Sequence, residues 1–279
     1  MRRSRLDVAM VERGMAESRE RARALIMAGD VLVNGQRSIR PAVMVDTGDQ
    51  IALRQVMPYV SRGGLKLEGA LNSFDVPLAD AVVADIGAST GGFTDCLLQR
   101  GARRVYAVDV GYGQLHWRLR NDSRVVVIER TNVRHLSSLP EVADGATVDV
   151  SFISLALVLE PITRLIKDDG WLIGLIKPQF EAGRSEVGKG GVVRDLRTHR
   201  RVISQVVESA RRLGWFVWGL RSSPLLGPAG NREFLVYLRR AESGPGLTEE
   251  QLDRNIDEAL AEGTTPATEI GELRDSPDQ

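Results

Sequence analysis

The chain has 279 residues, 43% of them hydrophobic and 5% aromatic, which suits one medium domain plus a small one with mainly aliphatic cores. No apolar run approaches the ~20 residues that span a bilayer, the Met1-Arg2-Arg3 start leads into no secretory signal, and the single Cys96 leaves neither an intramolecular disulfide nor a multi-cysteine metal site. The net charge of zero hides a division: residues 1–60 carry +3, residues 61–240 carry +6 and residues 241–279 carry −9, so a basic body suited to a polyanion is balanced by an acidic end. These features point to a cytoplasmic protein without membrane insertion and without a metal.

The N-terminal elements read as two short helices and a small sheet. Leu6, Ala9, Met10 and Arg13 follow helical spacing until Gly14 stops it. Ser18 caps a second helix, with Ala22, Leu25 and Ile26 inward and Gly29 at its end. Val31-Leu32-Val33 is a strand, Asn34-Gly35 a hairpin turn, and 43–53 a further strand around Asp46-Thr47-Gly48-Asp49. The second helix carries Arg19, Arg21 and Arg23, and Arg37 and Arg40 follow the hairpin. On their own these residues describe any small α+β module with a solvated charged face. Ser18-Arg19, leading through Ala24-Leu25-Ile26 to Gly29-Asp30-Val31-Leu32-Val33-Asn34-Gly35, resembles the RNA-binding domain named after ribosomal protein S4. The resemblance covers roughly the first fifth of the chain. It implies that the second helix and the hairpin face RNA, with Arg19, Arg21, Arg23, Arg37 and Arg40 on phosphates.

Residues 54–60, with Pro58, read as a linker between a domain over 1–53 and a larger one over 61–240. There the pattern becomes strands alternating with helices. Strands are predicted at 81–86, 105–108, 125–128, 146–150, 171–176, 216–220 and 234–238, and helices at 91–100, 155–167 and 196–213. This alternation predicts an α/β fold, a doubly wound Rossmann-like sheet that is mostly parallel, with ligands at the carboxyl ends of its strands. Residues 241–279 read as an acidic, largely disordered tail with a short helix over 247–261.

Asp85-Ile86-Gly87-Ala88-Ser89-Thr90-Gly91-Gly92-Phe93-Thr94 follows the first of these strands and opens a helix. Glycine lets the backbone turn sharply and approach a ligand. The spacing is not the dinucleotide fingerprint, and the P-loop lysine is missing. The next strand ends in Asp109, placed to accept bonds from both hydroxyls of a ribose. A ribose acid without a pyrophosphate fingerprint favours a nucleoside cofactor, and S-adenosylmethionine is the common one. The contact set expected for it is Asp85, Gly87, Ala88, Ser89, Gly91, Gly92, Phe93, Asp109 and Asn132. Asn132 fits an adenine edge and a turn equally well.

Of the 37 basic residues only Lys66, Lys167, Lys177 and Lys189 are lysine. A lysine in this chain marks a place where arginine, which cannot give up its proton, will not serve. Lys66 begins the helix entering the larger domain, Asp149 ends the fourth strand, Lys177 ends the fifth and Glu233 begins the last. Each alone has an ordinary structural explanation, as a snorkelling cation, a helix cap or an edge-strand charge. Together they meet at one crevice of the predicted sheet.

The segments Ser61 to Lys66, Gly87 to Thr94, Asp109-Val110-Gly111-Tyr112-Gly113-Gln114-Leu115, Glu129-Arg130-Thr131-Asn132, Asp149-Val150-Ser151-Phe152-Ile153-Ser154-Leu155 and Lys177-Pro178-Gln179-Phe180-Glu181 resemble the TlyA family over nearly the whole chain. The resemblance implies an S4-like domain joined to a methyltransferase domain related to FtsJ. It also implies 2′-O-methylation of cytidine in ribosomal RNA, and a tetrad falling on Lys66, Asp149, Lys177 and Glu233. The residue types suit that chemistry. A ribose hydroxyl needs its proton removed, a desolvated lysine can take it, and Lys177 is the expected base. Proteins of this family also carry the label haemolysin. A membrane-active haemolysin would need a spanning segment, a barrel pattern or a strongly amphipathic membrane face. A non-catalytic RNA-binding factor would have no use for an intact tetrad.

Overall fold

The computed structural model describes residues 3–53, 57–240 and 244–263. They form two units that divide between Met57 and Pro58.

The first unit comprises β1 (Ser4–Arg5), α1 (Leu6–Glu12), α2 (Arg19–Ala28), β2 (Val31–Val33), β3 (Gln36–Ser38), β4 (Met44–Val45) and β5 (Ile51–Leu53). The Ser18 hydroxyl accepts the Arg21 N–H at 3.1 Å to start α2, and Gly29, at φ 78°, ends it. β2 lies between β3 and β5, antiparallel to both. Leu6, Met10, Ala22, Ile26, Val31 and Val45 fill the small core. The strand expected over 43–53 is interrupted. Asp46 Oδ1 accepts the N–H groups of Gly48 at 2.9 Å and Asp49 at 3.2 Å, folding the chain into a turn between β4 and β5.

The second unit runs α3 (Gly63–Ser73), β6 (Val82–Ile86), α4 (Gly92–Gln99), β7 (Arg104–Val108), α5 (Trp117–Arg120), β8 (Val125–Ile128), β9 (Ala143–Val148), α6 (Ala156–Thr163), β10 (Ile166–Ile176), α7 (Pro178–Glu181), α8 (Leu196–Arg212), β11 (Trp215–Ser222), β12 (Phe234–Arg240) and α9 (Glu249–Ala261). Among the described residues its strands form one seven-stranded sheet in the order β11-β12-β10-β9-β6-β7-β8. The sheet is parallel apart from β12, which runs against both neighbours. This is the expected doubly wound α/β architecture. Alternate residues of β6 serve opposite cores: Val82, Ala84 and Ile86 pack on one face and Val83 on the other. The chain order reverses at β6, between β7 and β9, which opens a crevice at the strands' carboxyl ends.

Several boundaries differ from expectation. β9 starts at Ala143 rather than Ala146, because its polar residues have partners. Asp144 Oδ2 accepts the Val82 N–H at 2.7 Å, and the Thr147 hydroxyl donates to Asp85 at 3.0 Å. A Cβ at Gly145 would overlap the Trp171 ring. The helix expected over 155–167 stops at Thr163, and Ile166 already pairs with Ala143. Residues 58–60 belong to the second unit rather than to a linker: Tyr59 is buried, and the Val60 N–H donates to Asp95 at 2.9 Å. Residues 54–56 lie outside the described residues.

The largest correction concerns the acidic tail. α9 starts with a capping box between Thr248 and Gln251 and buries Leu252, Ile256 and Ala259 against β11 and α8. Glu249 pairs with Arg211, Asp257 with Arg200 and Glu258 with Arg221. This stretch is therefore a packed part of the unit, with its acids turned onto a basic face. Residues 264–279 of the expected tail lie outside the described residues.

Candidate active site

Strand register brings three of the expected tetrad to one rim. β10 and β12 pair Ile176 with Phe234, so the next residue along, Lys177, stands opposite Glu233. Val148 ends β9 beside Gly174 of β10 and delivers Asp149 to the same edge. Lys66 comes from the first turn of α3 and donates to Glu233 Oε2. Lys177 Nζ donates to Ser151 Oγ at 3.0 Å and lies 2.7 Å from Asp149 Oδ1. The two form a close ion pair, and the buried Oδ1 has no further partner. Glu233 Oε1 is likewise buried without one.

The Glu233 side chain is fully buried, and those of Lys66 and Lys177 are 9% and 10% exposed. Ion pairs this dry are weak stabilisers, because desolvation offsets most of their attraction. Two of them side by side, each with an oxygen open to a further donor, are better explained by chemistry than by stability.

The glycine turn forms as expected. Gly87 has φ 85° and Gly91 has φ 97°. A Cβ at Gly87 would lie 2.5 Å from the Asp149 carbonyl oxygen, so glycine here lets the loop lie directly against the tetrad segment. Ser89, itself at φ 49°, donates its N–H to Asp109 Oδ2 at 2.8 Å, and the Gly111 N–H donates to Oδ1 at 2.6 Å. These two bonds fix the Asp109 carboxylate while leaving each oxygen a lone pair for a ribose hydroxyl. Asn132 Oδ1 accepts the Arg134 N–H at 3.1 Å and caps a short 3-10 turn, the turn role that its sequence allowed.

Four members of the expected cofactor set are buried in or beneath the turn. Asp85 is fully buried, with Thr94 donating to Oδ2 at 2.6 Å and Thr147 to Oδ1 at 3.0 Å. It ties β6 to α4 and β9 beneath the loop, and burial pushes its pKa up to about 6. Phe93 is 4% exposed and packs in the core. A Cβ at Gly92 would overlap Ser61 Oγ, so that glycine admits the entry to α3. Ala88 is buried at the base of the turn.

Two groups not assigned a role from sequence join the site. Ser151 contacts Lys177, and Glu181 accepts the Ser154 hydroxyl at 2.6 Å and the Leu155 N–H at 2.7 Å. Both lie inside the quoted motifs, but nothing in their spacing marked them as chemical. In the first unit, Arg37 donates to the carbonyls of Gly29 and Ala28, both at 3.2 Å, and so caps the C-terminus of α2. Arg19 reaches the buried Asp7 at 3.4 Å. Arg21, Arg23 and Arg40 are exposed.

A carboxylate fixed by two backbone N–H groups, on a glycine turn that packs against the backbone of Asp149, suits a cofactor that donates a group, and this class of protein is the S-adenosylmethionine-dependent methyltransferases. Residues 59–240 match the FtsJ-like methyltransferase family and residues 4–51 the S4 domain, and the chain belongs to the TlyA family, in which the two are joined. A Mycobacterium tuberculosis relative, the 16S/23S rRNA (cytidine-2′-O)-methyltransferase TlyA, is 45% identical, covering 94% of this chain and 99% of its own. A Bacillus subtilis protein named provisionally as an rRNA methyltransferase is 47% identical, covering 92% and 94%. A solved structure from Streptococcus thermophilus, named provisionally as a hemolysin, superposes with a TM-score of 0.70 at 42% identity, covering 93% of this chain and 96% of that one. The cofactor of the present chain is S-adenosylmethionine, and the residues present fit it: Asp109 is fixed to accept hydroxyls, and the Gly87–Gly91 turn abuts Asp149. Among the described residues no helix is long and apolar enough to cross a membrane.

Proposed function

We propose that this protein methylates the ribose 2′-hydroxyl of a cytidine in ribosomal RNA, acting in the cytoplasm on ribosomal subunits. The observation that carries this reading is the two buried lysine–carboxylate pairs, Lys66–Glu233 and Lys177–Asp149, at one rim, with Glu233 Oε1 left open to a further donor. The names of the relatives supply the nucleotide and the RNA.

In this reading S-adenosylmethionine, held through its ribose by Asp109, supplies a methyl group on a cationic sulfur. Lys177, in its neutral form, takes the proton of the 2′-hydroxyl, with Asp149 and Ser151 fixing the direction of its Nζ. Lys66, fixed by its bond to Glu233, donates to the hydroxyl oxygen and holds it for in-line attack. Among the expected RNA-facing residues, Arg21, Arg23 and Arg40 are exposed and would meet phosphates, while Arg37 caps its helix.

Lys177→Arg tests the assignment, since arginine keeps the charge but cannot accept the proton. Methyl transfer from labelled S-adenosylmethionine to purified ribosomal subunits should fall about 100-fold or more, with cofactor affinity within about threefold of the parent. Turnover near that of the parent rules the base out. Label appearing on the base rather than the ribose of the RNA overturns the reaction.

A further inference from the structure

The loop from Asp149 to Leu155 is pinned at both ends. The Asp149 N–H donates to the Ile86 carbonyl at 2.9 Å, and Leu155 is buried with its side chain against Gly174. Between these pins the chain passes through Phe152 at φ 62°, a left-handed conformation unfavourable for an aromatic residue, whose side chain is 91% exposed. Strain of this kind persists only where the surroundings over-determine it. The restraint comes from Glu181. Its Oε2 accepts the Ser154 hydroxyl at 2.6 Å and its Oε1 the Leu155 N–H at 2.7 Å. Glu181 ends α7, the single turn that begins immediately after Lys177. One carboxylate thus ties the segment following the lysine to the loop carrying Asp149 and Ser151, the two groups that Lys177 Nζ contacts.

We propose that Glu181 is a positioning residue for the methyl transfer. Its two bonds hold the 151–155 loop in the strained conformation that presents Ser151 and Asp149 to Lys177. The inference rests on the reading of Lys177 as the base. Glu181 is partly buried, which pushes its carboxyl upward in pKa, while the Ser154 and Leu155 bonds oppose that shift. Bonds spent on a desolvated acid suit a locked loop better than a solvated surface charge.

The test compares Glu181→Ala, Glu181→Gln and Ser151→Ala in the full chain, with Lys177→Ala alongside. Glutamine keeps a carbonyl for the Leu155 N–H and an amide that the Ser154 hydroxyl can accept, so it preserves the clamp. The expected results are a kcat about tenfold or more lower for Glu181→Ala, within about threefold of the parent for Glu181→Gln, and reduced for Ser151→Ala. The Kd for S-adenosylmethionine stays within about twofold in all three, because Asp109 and its loop are untouched. Unchanged kcat in Glu181→Ala, or a loss in step with cofactor affinity and folded fraction, overturns the proposal. Should Glu181→Ala not fold, unchanged kcat in Ser151→Ala overturns it instead. Full activity in Lys177→Ala marks a failure of the base assignment, distinct from failure of the clamp.

Discussion

At the scale of single residues, the lysines were the most legible part of the site. With arginine used almost everywhere, Lys66 and Lys177 stood out, and the structure seats both in carboxylate pairs. Asp85 was misread because a carboxylate before a glycine turn looks the same in sequence whether it faces a ligand or the core. Its environment predicts a pH dependence. The folded-state pKa, about 6, lies above the ordinary 3.8, so the folded protein holds this proton more tightly than the unfolded chain. Its contribution is complete below about pH 4 and lost as pH rises through about 6, an effect on the order of 3 kcal/mol. Urea unfolding of the parent and Asp85→Asn should diverge over that window, the parent losing stability relative to the variant as pH rises, and run parallel above pH ~7. A constant difference across the window contradicts it. Gly227 offers a steric test. A Cβ there would overlap Glu233 Oε1, in a backbone that alanine can adopt. Gly227→Ala should displace the carboxylate and lower kcat about tenfold or more with cofactor affinity intact; an unchanged kcat shows that Glu233 can move without consequence.

At the scale of elements, periodicity located the parallel strands because each is apolar and flanked by turn residues, as Val82–Ile86 shows with all five residues buried. It failed at the start of β9, where the polar Asp144 finds a partner inside the sheet. It placed α9 within two residues but not its packing, because the charge suggested a solvated tail and the buried stripe has only Leu252, Ile256 and Ala259. Truncation after Gly244 should remove that stripe and destabilise the second unit by roughly 3–6 kcal/mol. It should also lower turnover of the folded fraction. Arg232, next to Glu233, donates to the carbonyls of Ala259, Leu260 and Glu262 at 2.8–2.9 Å and would be left without all three acceptors. Truncation after Gly263, which spares α9, is the control. An equal melting temperature for the two truncations shows that the helix contributes nothing.

At the scale of the whole molecule, the change from a small helical and hairpin pattern to strand–helix alternation revealed two units. The break at Met57–Pro58 was hidden because Pro58 and Tyr59 look like linker residues until Tyr59 is seen in the core. The division of labour makes a prediction across the units. Arg21→Glu with Arg23→Glu should weaken binding of substrate RNA and reduce the slope of log K against log salt by about 2, one for each phosphate that the protein no longer neutralises. Calorimetry with S-adenosylmethionine should give the parent affinity. An unchanged salt slope shows that α2 does not face the RNA.

The hydrogen bond from Ser89 to Asp109 spans 20 residues of chain, whereas that from Lys66 to Glu233 spans 167. A contact of long sequence separation forms late, because the intervening chain must be ordered before it closes. β12 also has to enter between β10 and β11, so the sheet is complete only once β11 and β12 have been made. During biosynthesis the residues of the glycine loop emerge and meet early, while Glu233 arrives almost at the end of its unit. A nascent chain interrupted before residue 233 carries the glycine loop and Asp109 but cannot form the Lys66–Glu233 pair, so under the proposed function its ability to bind precedes its ability to react.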